Sequence, residues 1–297
     1  MTPATLDPRL NAFRADLADQ RLAGRVHAAR FVTGTPGQII RSVVGMRGAP
    51  GFDQSLVNEA LFGERVSVFD VSGGTGPAWA WIQLERDNYV GYVPADAVGR
   101  EVVETTHRVS AIGTWLYPEA NIKAPTLAHI GLGSELNVLR MGEKFAELKS
   151  GEFIIARHIT ERDRLTRDFV AVAERFIGTP YLWGGRSRLG LDCSGLVQLA
   201  LEATGQRAPR DSDMQQLALG TNVLVPSDLD GLDRGDLVFW PGHVGIMSDG
   251  VMLLHANAHH MSVATEPLMN AVERIRRDGT GISAIKRLVS RPANAMA

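Results

Sequence analysis

The sequence predicts an α+β protein of more than one domain, and three observations carry that expectation. The first half alternates short apolar runs with Gly, Pro and Asn/Asp turns, the pattern of small all-β units. A helical period then appears at Leu165, Phe169, Val172 and Phe176 and stops at Gly178. Finally, the single cysteine, Cys193, stands where a polar, Gly-rich stretch (Thr179 to Gly195) gives way to Leu196, Val197, Ala200 and Leu201 at helical spacing, with Gly205 as a stop. At 297 residues the chain is long enough for two or three domains.

Taken in order, Leu10, Phe13, Leu17 and Leu22 recur at roughly helical spacing and predict a short helix in an N-terminal segment, residues 1–30. Strand-like runs follow in 31–107: "QIIRSVVGMR", "ERVSVFDV", "AWAWIQL" and "YVGYVP". A second round occupies 108–160, where "ALFGERVSVF" is echoed by "IGLGSELNVL" and "AWIQL" by "KFAELKSGEFI". Two such copies predict two small β-barrels. A hinge around Thr160 to Arg167 leads into a third domain, 161–297, which holds Cys193.

A lone cysteine has no disulfide partner. At the first turn of a helix, exposed N–H groups and the helix dipole favour its thiolate, which makes Cys193 a candidate nucleophile rather than a small buried hydrophobe. A thiolate nucleophile needs a base, and the base needs a group to hold its ring. "FWPGHVGIMSDGVMLLHAN" reads as two strands around Ser248, Asp249 and Gly250. A three-residue loop closed by a left-handed Gly250 pairs Met247 with Val251 and sets His243 directly opposite His255. A two-residue turn would send the rings to opposite faces. His243 is then the base and His255 its orienter. His259 and His260 extend the second strand, but with no second cysteine and no HExxH the reading calls for no metal and no cofactor.

"PYLWGG…DCSG", "GDLVFW", "GHVGI" and "LLHAN", in that order over Thr160 to Lys286, resemble the NlpC/P60 family of cysteine peptidases, which cleave bacterial cell-wall peptides. The resemblance implies a papain-like catalytic domain in which Cys193 attacks, His243 is the base, His255 the polar third residue, and the Tyr181 hydroxyl helps to stabilise the oxyanion. The "LFGE…DNYVGY" pattern resembles bacterial SH3 (SH3b) modules, with a looser second copy that reads "SGEFIIA" instead of "DNYVGY". Together the resemblances imply a γ-D-glutamyl-L-diamino acid endopeptidase whose substrate is a small murein peptide, L-Ala-γ-D-Glu-diamino acid, with a free N-terminus. They carry substrate contacts onto Asp192, Ser194, Asp211 and Ser212, and onto Tyr89 and Glu64 of the first SH3b copy. Four of these have a plainer role beside it: Asp192, Asp211 and Ser212 as helix caps, Tyr89 as a packing residue.

Composition bounds the rest. A net charge of −2 without a basic stripe argues against nucleic acid as a partner, and no apolar run approaches the ~20 residues of a membrane span. Asp7, Asp16 and Asp19 stand where an export signal needs a basic start and an apolar core, so a cytoplasmic protein is expected. An exported wall hydrolase binding peptidoglycan through its SH3b modules is the second reading, and a binding protein with a dead site the third. The third substrate residue, meso-diaminopimelate or L-Lys, and the oligomeric state are left open.

Overall fold

Alternating apolar residues close the first half of the chain around two separate cores. The computed structural model describes residues 6–73, 76–224, 229–277 and 279–288, and it divides into one unit up to Arg164 and another from Leu165 onward. In the first unit, a seven-stranded sheet runs Leu56–Leu61, Val43–Arg47, Val90–Pro94, Trp79–Leu84, Arg65–Ser72, Thr35–Ile39 and Val98–Gly99. It wraps Ile39, Val44, Met46, Val66, Ile82, Leu84, Tyr89 and Val93 into one core. The predicted strand runs are all present, and Leu56–Leu61 is an additional strand. A second core, with Val109, Leu116, Ile130, Leu148, Ile154 and Ile159, is built by a five-stranded and a three-stranded sheet between His107 and Glu161.

The expected N-terminal helix does not form among the described residues; residues 1–5 of that segment lie outside them. Leu17–Asp19 is instead a strand paired in parallel with Arg30–Val32, followed by a single 3-10 turn, Gln20–Leu22. Local carboxylates compete with helical bonding, as short polar side chains do. The Asp7 carboxylate accepts from the Arg9 backbone N–H and the Asp19 carboxylate from that of Arg21. The apolar spacing is satisfied by the barrel wall, where Ala12 and Leu17 pack with Phe69 and Trp81.

The second unit is centred on an antiparallel sheet in the order Thr221–Asn222, Ala284–Arg287, Leu237–Trp240, His243–Met247, Met252–Asn257, Ser262–Pro267. Among the described residues four helices accompany it: α1 (Phe169–Glu174), α2 (Cys193–Ala203), α3 (Ser212–Ala218) and α4 (Leu268–Arg277). The Asp168 carboxylate caps α1 by accepting from Val170 and Ala171, and the chain beyond α1 turns at Gly178 with φ +86°. One sheet face, with Val238, Trp240, Met247 and Leu253, packs against Leu268 and Ala271 of α4. Residues two apart on a strand share a face, so His243 and His255 lie on this same side.

The docked N-terminus is testable. Leu17 is fully buried, so Leu17→Ala should cost about 2–5 kcal/mol. This would appear as a lower urea midpoint for the first unit, and an unchanged midpoint would mean that the segment does not contribute to that core.

Candidate active site

Helix α2 begins at Cys193 because Asp192 stops the preceding turn and caps it. The Asp192 carboxylate accepts from Gly195 N (2.7 Å) and, through its other oxygen, from Gly184 N (2.9 Å). Arg210 grips both oxygens, Nη1 at 2.9 Å and Nη2 at 2.7 Å, and the pair is buried. The Ser194 hydroxyl accepts from Arg210 (3.0 Å) and donates to Asp192 (3.3 Å), while the Ser194 carbonyl accepts from Gln215 Nε2 (2.9 Å). Gly195 can carry no side chain, since a Cβ there would run into the Gly185 carbonyl oxygen. The polar atoms of Asp192 and Ser194 thus build the start of the helix, and for Asp192 this is the cap its plainer reading expects.

The Cys193 thiol is itself buried, with only 7% of the residue exposed. Burial and the Asp192 charge push it up to about 12; backbone N–H groups of Val244 and Ser194 and the Arg210 charge pull the other way without offsetting this. A helix start alone therefore does not hold Cys193 as a thiolate, which corrects the sequence expectation. Burial pushes His243 the opposite way, down to about 3, helped by the charges of His255 and Arg274. Neither group ionises alone against solvent. For such a thiol, passing its proton to a neighbouring imidazole, which creates opposite charges together, costs less in a site of low polarity than ionising alone.

The hairpin carrying the histidines differs from the expected one. Its last pairs are Ile246 with Leu254 and Met247 with Leu253, and Ser248 N donates to the Met252 carbonyl, which leaves residues 249–251 at the tip. Gly250 is not left-handed; the Asp249 carboxylate makes the turn instead by accepting from Val251 N (2.8 Å) and Met252 N (2.7 Å). The register is displaced by two residues, so it keeps both rings on one face but makes them diagonal rather than directly opposite. His243 Nε2 lies 2.9 Å from His255 Nδ1. Trp240, directly paired with His243 across the sheet, supports its ring with centroids 5.6 Å apart.

The next strand repeats the diagonal. Glu266 pairs with Leu253 in register, and its Oε1 lies 2.9 Å from His255 Nε2. Arg274 on α4 closes the chain with an ion pair to the same oxygen. Glu266 and Arg274 escaped the sequence reading, as did Arg210. The signal for Glu266 lay in the "AHHM" turn, which pairs Asn257 with Ser262 and so brings position 266 beside position 253. His260, exposed on that turn, donates its backbone N–H to Asn257 Oδ1, which also contacts its ring at Nδ1. His255, His260 and Glu266 bring potential metal-ligand atoms within 4.8 Å of one another, but the guanidinium beside Glu266 already compensates its charge.

Tyr181 is stitched between two strips of backbone. Its N–H donates to the Met261 carbonyl (2.9 Å), and it bridges to Leu191. Burial, with the charges of Cys193 and Asp192, raises its hydroxyl to about 12, so it remains an O–H donor at neutral pH. Asp211 stands at the N-cap position of α3 yet makes no side-chain capping bond; Ser212 is the first residue of the helix. In the first unit, Tyr89 packs in the barrel core, and the Glu64 carboxylate accepts from Leu61 N (2.8 Å) and pairs with Arg86.

A buried thiol at a helix start, beside a strand whose histidine is held by a second histidine, is the arrangement a thiol hydrolase needs. Residues 178–275 match the NlpC/P60 family, and residues 46–98 match the bacterial dipeptidyl-peptidase SH3 domain. Dipeptidyl-peptidase 6 of Lysinibacillus sphaericus is 33% identical over 69% of this chain and 73% of its own length. The gamma-D-glutamyl-L-lysine dipeptidyl-peptidase of Bacillus subtilis is 34% identical over 33% of this chain and 34% of its own. An NlpC/P60 family protein from Bacillus cereus has the same fold, with a TM-score of 0.70 at 20% identity, covering 85% of this chain and 99% of that one. The chain belongs to the NlpC/P60 family of peptidases and carries a bacterial SH3 domain ahead of its peptidase domain.

The paired chemistry yields a direct test. Wild-type Cys193 should be alkylated by iodoacetamide at pH 7, whereas in His243→Ala the thiol has lost its proton acceptor and should react only as pH rises toward about 12. Mass spectrometry of the modified protein reads this, and equal labelling of both proteins at pH 7 would show that His243 is not the base. Arg210→Ala tests the scaffold beneath: it strands a buried carboxylate and should cost about 3–5 kcal/mol in urea unfolding.

Proposed function

We propose that the protein is a γ-D-glutamyl-L-diamino acid endopeptidase acting on short murein peptides with a free N-terminal L-Ala. The observation that carries this reading is the His243–His255 pair and the buried Cys193 at the start of α2, in a chain that also holds a dipeptidyl-peptidase SH3 domain. The names of its relatives, dipeptidyl-peptidase 6 and gamma-D-glutamyl-L-lysine dipeptidyl-peptidase, point the same way.

In the proposed reaction, Cys193 Sγ attacks the γ-carbonyl carbon of D-Glu as its proton passes to His243. The carbonyl oxygen becomes an oxyanion and receives the Tyr181 O–H; a donor of this kind is worth about 10²–10³ in rate. Collapse breaks the C–N bond, and the imidazolium returns its proton to the departing amine of the diamino acid. A water then gives a proton to His243 and attacks the thioester, releasing L-Ala-γ-D-Glu and restoring the thiol. His255 steadies the imidazolium formed in both halves.

The substrate's ammonium needs acceptors in a partly desolvated pocket. Asp211 and Ser212, at the start of α3, are the acceptors assigned to it, whereas Tyr89 and Glu64 are engaged within the SH3 domain itself. Asp192 and Ser194 act mainly by holding the nucleophile helix, because Arg210 already neutralises the Asp192 carboxylate. A requirement for a free amine suits soluble peptide fragments inside the cell, since intact wall peptides carry that nitrogen as an amide.

Incubation with L-Ala-γ-D-Glu-meso-diaminopimelate, its L-Lys counterpart and both peptides N-acetylated, followed by mass spectrometry, tests the reading. Acetylation removes the charge and leaves buried acceptors unpaired at about 1–3 kcal/mol each, so turnover should fall at least about tenfold. Asp211→Asn should narrow that preference while leaving Cys193 alkylation unchanged. Equal turnover of free and acetylated peptides would remove the recycling reading and leave a general wall peptidase. In either case Cys193→Ala should be inactive.

A further inference from the structure

We propose that Glu266 is a positioning residue that sets the tautomer of both site histidines, leaving Nδ1 of His243 as the nitrogen able to take the Cys193 proton. The inference rests on the thiol-hydrolase reading of this site and extends it to a residue beyond the nucleophile, base and orienter.

The argument follows the diagonal across the sheet. His243 on one strand meets His255 on the next at 2.9 Å, and His255 meets Glu266 on the third at 2.9 Å. A neutral imidazole has one N–H and one lone pair, while an ionised carboxylate can only accept. Burial alone would raise the Glu266 carboxyl, but its hydrogen bond to His255 and the Arg274 guanidinium help to outweigh this and hold it below the usual range. Glu266 is therefore an acceptor at neutral pH, and Arg274, which can only donate, keeps it so.

Each link then has one direction. His255 must donate Nε2–H to Glu266, so its Nδ1 carries a lone pair. That lone pair can only accept, so His243 donates Nε2–H to it. His243 is left with its lone pair on Nδ1, the ring nitrogen not engaged by His255. Without the carboxylate nothing selects this order: reversing both protons would preserve the His243–His255 bond but place a proton on Nδ1 of His243, which then cannot act as base. The control is exerted two bonds away from the base, through a residue that is 1% exposed and has no freedom to turn over.

The test uses the full chain labelled with 15N-histidine, where nitrogen chemical shifts distinguish Nδ1–H from Nε2–H rings. In the wild type at pH 7, His243 and His255 should both be Nε2–H tautomers; an Nδ1–H His243 would overturn the proposal outright. Glu266→Gln, whose amide nitrogen can donate to His255, should move His243 substantially to Nδ1–H. It should also lower kcat about 10–100-fold, the cost of losing a partner that orients a functional histidine, with little change in KM. Glu266→Asp retains an acceptor-only group and should retain the wild-type tautomers. If the Gln variant loses activity with its tautomers unchanged, or keeps full activity, Glu266 is structural and the proposal fails. Failure of the wild type to cleave the murein peptides would instead strike the substrate reading, because the nitrogen spectra do not depend on substrate.

Discussion

The buried Asp192–Arg210 pair is the interaction on which the rest of the site depends. One carboxylate accepts from Gly184 on one side and Gly195 on the other, so the glycine loop and the first turn of α2 are fixed to the same group. Cys193 lies between the two anchored ends. Ser194 shares the guanidinium, so Cys193 and its neighbour take their positions from one ion pair, while Tyr181 ahead of the loop is held by the backbone of Met261 and Leu191. Such a pair adds little net stability over a packed apolar pair, but half of it is far worse than none. Its value here is positional.

What the sequence disclosed divides along a physical line. Elements whose burial is periodic were legible: the barrel strands, and the helix that starts at Cys193. The N-terminal segment has the same apolar spacing as a helix, but those side chains are buried against Phe69 and Trp81, and nearby Asp side chains take the backbone donors a helix would use. The hairpin was legible as to face, because alternation decides that. Its register was not, since a side chain, Asp249, and not a left-handed glycine builds the turn. Arg210, Glu266 and Arg274 were silent for another reason: each matters through side chains on other elements, and a lone charged residue carries no period.

The sheet and helix α4 explain why a peptidase site can be both rigid and polar. Trp240 packs against His243, Leu268 and Ala271 seal the same face, and the polar chain from His243 through His255 and Glu266 to Arg274 crosses that apolar ground. A polar network in such surroundings is stabilising only when complete. Local order and proton order therefore come from the same contacts.

The turn between the two histidine strands has a consequence for how this chain can vary. Side chains on a strand alternate between faces, so the shared face of His243 and His255 depends on whether the number of turn residues is odd, not on the number itself. Insertions or deletions there divide into two kinds: paired changes slide the rings between direct and diagonal contact, while single changes carry one ring through to the far side of the sheet. Among natural or engineered variants, loop lengths at this tip should step in twos, a selection rule written into the pleat and independent of what the loop is made of.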